Sequence, residues 1–223
     1  MGALQEVLNA QQTALREALE DNRDLAGVSR AFLAQFCSIH QVEGSGQHSF
    51  EEDVWEGVTF EAARRVPANC EHSYAWIFWH LARCEDITMS LLIAGEPQVL
   101  YAENWLERTR SPFPHTGNAM DVPAVRDFSA QVDVEAVRGY YQAVSLHTLG
   151  IFQRLTLPDF KQKVNPARMA VIRAQGDLPE AATEVYDYWS RQSFAGLLLM
   201  PATRHHVVHM NEAMRMKSKV LKG

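Results

Sequence analysis

Residues 73–95 read SYAWIFWHLARCEDITMSLLIAG, and the fold of the chain turns on them. Ile77, His80, Cys84, Ile87 and Leu91 recur at alternating steps of three and four, which places them on one seam of a helix. Trp76, Phe78, Trp79 and Leu81 leave few polar positions on the other sides, so the spacing predicts a central helix buried around most of its circumference. Gly95 follows the last periodic residue and Pro97 comes two further on, the composition expected where a helix stops.

Outward from this segment the same periodicity returns. Leu4, Val7, Leu8, Leu15 and Leu19 predict an N-terminal surface helix, and a second helical piece covers about Val28–Ile39, before the loop marked by Gly44, Ser45 and Gly46. Glu51–Val66 is predicted helical up to Pro67. Val134–Leu155 carries Val137, Tyr140, Tyr141, Val144, Thr148 and Ile151 on one broad face, a second core helix. The C-terminal segment, from about Ala181 to Lys219, reads as helical with a kink at Pro201. Two passages break the pattern: Ser111–Gly117, whose two prolines forbid regular helix, and Pro158–Pro179, predicted irregular. Alternation of period two is nowhere sustained. The expectation is an all-α fold, a four-helix bundle with long crossover connections and extra short helices, forming a single domain over residues 1–223.

Lys and Arg total 21 against 27 Asp and Glu, a formal charge of −6, which argues against nucleic acid or an anionic membrane surface as partner. No apolar run approaches the roughly 20 residues of a bilayer span. The first 20 residues lack the basic start and apolar middle of a secretory signal. Cys37, Cys70 and Cys84 are an odd number without C-x-x-C spacing, which points to a reducing compartment and a cytoplasmic protein.

His205 and His209, spaced i, i+4, stand one above the other on the last helix and can reach one ion. Their face also carries Ala202, Glu212, Met216 and Val220 and is predicted to meet the bundle, whereas Arg204, Asn211 and Arg215 lie on the other flank. His80 on the central seam reads either as a core histidine with one hydrogen bond or, beside that pair, as a third ligand. Three neutral imidazoles from two helices would hold a divalent ion and leave positions open opposite. Glu212, near one turn beyond His209, is a surface carboxylate or a fourth or supporting group. His206, some 100° around the helix from His205, offers an alternative partner for His209. Cys84, four residues after His80, reads as a soft ligand or a small buried hydrophobe. His147 flanks a core face, and His40, His48, His72 and His115, at loops or helix ends, are expected in solvent. Trp76, Phe78, Trp79 and Trp189 read as core, one or two of them available to line a pocket. Zincin, ferritin-like E-x-x-H, G-x-S-x-G and Walker motifs are absent from the sequence.

The run Ala75-Trp76-Ile77-Phe78-Trp79-His80-Leu81-Ala82-Arg83, with Met200-Pro201-Ala202-Thr203-Arg204-His205-His206-Val207-Val208-His209 and Glu212, resembles the DinB-like superfamily of metal-binding four-helix proteins. The resemblance covers most of the chain, including Tyr101–Arg108 and Val134–Leu149. It implies a metal triad of His80, His205 and His209, and a homodimer. Where that family often has Gly-Gln or Gly-Glu after the last histidine, this chain has Asn211-Glu212. The implied activity is that of a metal-dependent thiol S-transferase acting on a small-molecule substrate with a low-molecular-weight thiol. A metal-dependent hydrolase and a non-catalytic metal- or ligand-binding stress-response protein are the alternatives. Nickel and zinc both suit imidazole, and iron is compatible. No catalytic residue beyond the ligands is identified.

Overall fold

The computed structural model describes residues 2–222. Helices are the only regular elements among them, with a lone antiparallel bridge between Lys163 and Ser193. In chain order they are α1 (Gly2–Asp21), α2 (Leu25–Ile39), α3 (Phe50–Trp55), α4 (Tyr74–Asp86), α5 (Val99–Ala102), α6 (Trp105–Arg108), α7 (Val122–Gln131), α8 (Val134–Arg154), α9 (Pro166–Gln175), α10 (Thr183–Ser190), α11 (Phe194–Leu199) and α12 (His205–Lys222). None of the described helices is long and apolar enough to cross a membrane.

Ser73 starts α4 by accepting the Trp76 amide at 3.0 Å through its hydroxyl, a standard N-cap. Every one of the thirteen residues of α4 is buried, as its all-round apolar character predicts. The helix widens to π geometry over Ile87–Ala94 and ends at Gly95, whose φ of +71° suits glycine. Arg168 of α9 donates to the Leu92 and Ile93 carbonyls at 2.9 and 2.8 Å, satisfying acceptors that this helix end leaves free. α4 packs chiefly on α8, and α12 packs on α4, while α1 pairs with α2.

Three elements depart from the sequence reading. The helix predicted over 51–66 ends at Trp55, since Gly57 takes φ +73°; only the short 3₁₀ turn Ala62–Arg64 follows. The segment expected to be irregular over 158–179 contains α9, which Asn165 caps by accepting the Ala167 amide at 2.8 Å ahead of Pro166 at the first helical position. The C-terminal helix is broken at residues 191–193 as well as altered at Pro201, Ser193 capping a fresh start by accepting the Gly196 amide.

Candidate metal centre

Pro201 has no amide hydrogen to continue the α-helical ladder, and Met200–Arg204 adopts a π turn instead. Side chains bond two carbonyls just ahead of this turn. Thr203 Oγ1 donates to Leu198 and Leu199 at 2.9 and 3.1 Å, and Gln12 Nε2 donates to Leu199 at 2.9 Å. His205 opens α12 directly after this turn and His209 follows one turn on.

Opposite them, on α4, stands His80. The three imidazole centroids lie 4.9, 4.9 and 4.8 Å apart with their planes 71–89° to one another, a nearly equilateral cluster. One ligating atom from each lies within 4.8 Å of the others. His80 Nδ1 is 2.8 Å from the Thr116 carbonyl, which can only accept, so that nitrogen carries the hydrogen and Nε2 presents its lone pair. His80 Nε2 and His205 Nε2 are 3.2 Å apart. Tetrahedral coordination at about 2.0–2.1 Å per nitrogen places ligand nitrogens about 3.3 Å from each other, so the pair is spaced for one ion. His209 Nδ1 lies 2.9 Å from Glu212 Oε2 and donates to it, leaving Nε2 for the centre.

Burial keeps His80 and His205 in the ligating form. Burial, assisted by neighbouring His209, brings the His80 pKa down to about 3. Burial and the same histidine neighbours also hold His205 well below its ordinary value. Burial alone would raise Glu212, but hydrogen bonds from His209 and His72 bring it down to about 2, so the carboxylate is ionised. His72 Nδ1 donates to Glu212 Oε1 at 2.7 Å. The residues therefore fit a divalent cation: three imidazoles aimed together, two with the other ring nitrogen engaged by an acceptor.

The proline-containing loop explains why His80 is held. Residues 111–117 are not helical, so their carbonyls are free to face α4. Pro114 accepts from Arg83 Nε at 2.6 Å, His115 from Trp79 Nε1 at 2.9 Å, and Thr116 from His80. Trp76 stacks between His72 and His80, with centroid separations of 3.7 and 4.6 Å. On the remaining side His80 and His205 border a cavity of about 220 Å³, walled mainly by Val185, Tyr188, Trp189, Met200 and Pro201, with Asn118 and Glu184 as polar groups.

Several other residues differ from their sequence reading. His72, expected in solvent, has only 18% of its side chain exposed and props Glu212. His40, also expected in solvent, is fully buried against Phe36. His206 does not pair with His209; it points into the interior beside His40 and Glu85. His115 is half-buried, stacked on Phe113. His48 is exposed as expected, and His147 is half-buried with Nε2 3.7 Å from Glu96. Cys84 is buried with its sulfur 3.9 Å from both ring nitrogens of His80, outside the converging set. Of the four aromatics, Trp189 borders the cavity. Glu85 was not singled out from sequence, because a glutamate on a helix is ordinarily a surface residue and only its all-buried setting signals otherwise. No protein-family model matches the chain, and no curated protein matches it.

Proposed function

We propose that His80, His205 and His209 bind one first-row divalent cation, nickel or zinc with iron also compatible, and that the loaded centre belongs to a DinB-like thiol S-transferase. The observation that carries this reading is the convergence of three imidazoles beside an apolar cavity. A bound cation with only neutral ligands supplies full Lewis acidity, enough to keep a coordinated thiol as thiolate at neutral pH. The chain's own residues do the rest. Thr116 and Glu212 fix the orientation of His80 and His209, Trp76 braces the His80 ring, and the apolar cavity wall offers a surface to a small organic acceptor. The bundle architecture, the homodimer and a cytoplasmic setting go with this reading; three unpaired cysteines suit a reducing compartment.

The test uses untagged protein. Elemental analysis should show His209→Ala losing one equivalent of metal relative to wild type. Calorimetry should show a small thiol binding wild type with proton release and failing to bind His209→Ala, and wild type should conjugate that thiol to an electrophile. Metal-dependent ester or amide hydrolysis inhibited by thiol would replace the transferase reading with a hydrolase. Unchanged metal content in His80→Ala, His205→Ala and His209→Ala would remove the centre altogether.

A further inference from the structure

The buried carboxylates around the middle of the molecule are saturated with donors, with one exception. Asp86 accepts from Ser90 Oγ, the Val99 and Leu100 amides and the Tyr140 hydroxyl at 2.6–2.9 Å. Asp177 accepts from Arg83, Gln98 and Tyr101 at 2.6–2.9 Å. Glu85, next to Asp86 in the chain, is 0% exposed, and neither of its oxygens has a hydrogen-bond partner. An ionised carboxylate left so in the interior is strongly disfavoured, and buried charges are found paired or on metal ions.

What faces Glu85 is a second histidine pair. His206 Nε2 of α12 is 3.2 Å from Glu85 Oε2 without hydrogen-bond geometry, and His40 comes from the end of α2. A nitrogen of each ring and a Glu85 oxygen lie within 4.8 Å of one another, and all three residues are fully buried. Neither histidine's Nε2 has a partner in full hydrogen-bond geometry, although the Ala202 backbone stands close enough to His40 to act on it. Their Nδ1 atoms both meet the Tyr141 hydroxyl of α8, at 2.9 Å for His40 and 3.0 Å for His206. The phenol oxygen can receive an N–H from each ring, and in that tautomer both Nε2 lone pairs are free for another partner.

We propose that His40, Glu85 and His206 form a second, enclosed site for a divalent cation of the zinc type, separate from the centre at His80. Two imidazoles and a carboxylate are a donor set that zinc accepts. The site shares no ligand with the first, and although His205 and His206 are consecutive, their ring centroids are 6.5 Å apart. Zero exposure of all three ligands encloses the site and keeps a substrate from it. Its ligands and Tyr141 tie together α2, α4, α8 and α12.

The experiment is an anomalous difference map at the zinc edge from crystals of untagged wild-type protein produced in zinc-supplemented medium. A peak bounded by His40, Glu85 and His206 is the expected result. Density only at His80, His205 and His209 overturns this inference and leaves the proposed function standing; a peak only at the enclosed cluster does the reverse. In solution, Glu85→Gln and His40→Gln should each lose one equivalent of zinc while His209→Ala keeps that equivalent. A Glu85→Gln protein with wild-type zinc content also overturns it.

Discussion

At the scale of single residues, the centre depends on atoms that never touch an ion. Glu212 accepts from His209 and His72 at once, so it both orients a ligand and is itself held in place. Glu212→Gln keeps the shape and removes the charge, and should weaken metal binding about 10–100-fold, the usual effect of losing such a partner. Competition with a chromophoric chelator measures it, and unchanged affinity would mean that His209 is oriented by packing alone. Cys84 makes a contrasting case. Its sulfur touches His80 at the wall of the cavity, yet it is only 2% exposed and burial pushes its pKa up to about 12, so it stays a protonated thiol of low reactivity. Cys37 and Cys70 are partly exposed. A disulfide reagent at pH 8 should therefore titrate two thiols in native protein and three after denaturation. Rapid modification of all three in the native state would show that the cavity wall opens. His40 and His206 mark what the sequence does not reveal at this scale. The spacing of apolar residues tells which side of a helix is wet, but His40 stands past the end of its helix, stacked on Phe36 of that helix and closed off by Tyr141 and His206 from elsewhere in the chain.

At the scale of elements, one guanidinium joins the parts that frame the site. Arg83 donates to Pro114 of the proline loop, Gln98 ahead of α5, Asp177 after α9 and Tyr140 of α8, as well as to Asp86 on its own helix. Its side chain and those of Asp86 and Asp177 are 0% exposed, so solvent does not screen the group. Arg83→Met would retain much of the packing while leaving two buried carboxylates without their cation, and should cost about 3–5 kcal/mol. Urea unfolding should show the midpoint falling with the slope unchanged; a loss below about 1 kcal/mol would mean that the carboxylates are neutral or hydrated without it. The same element shows what was legible beforehand. α4, α8 and the disturbance at Pro201 could be read because each depends on local spacing or on a missing amide hydrogen. His80, His205 and His209 followed from those readings, since each lies on a face that periodicity assigns to the interior. α9 was readable in principle from Asn165-Pro166, a cap followed by proline at the first helical position, but sits in a polar stretch without an apolar stripe. The early end at Trp55 was hidden because Gly57 alone, in a stretch of otherwise helical spacing, decides it through positive φ.

At the scale of the whole molecule, the apolar interior falls into two clusters, and the histidines lie where they meet. One cluster contains the apolar residues from Tyr74 to Ala82 of α4, the first half of α8 and the body of α12; the other contains Cys84, Ile87 and Leu92, the end of α8, and residues of α1, α2, α9 and α11. The second cluster buries within the chain apolar positions that would otherwise need a partner, and light scattering showing a single-chain particle across concentrations would remove the proposed homodimer. Between the clusters run the polar residues His80, Arg83, Glu85 and Asp86 of α4, which contribute little hydrophobic cohesion at the junction. Cation binding should therefore appear as global stability. A ligand that binds only the folded state, at a thousandfold excess over its dissociation constant, adds about 4 kcal/mol, or about 8–16 °C of Tm for a chain of this size. Calorimetric scans of metal-loaded and chelator-treated wild type should differ by that order, and the His209→Ala protein should lose the part of the difference that belongs to its centre. Equal Tm values with and without chelator, in protein shown by elemental analysis to have lost its metal, would mean that the junction is already stable through hydrogen bonds alone and that the cations add no cohesion to it.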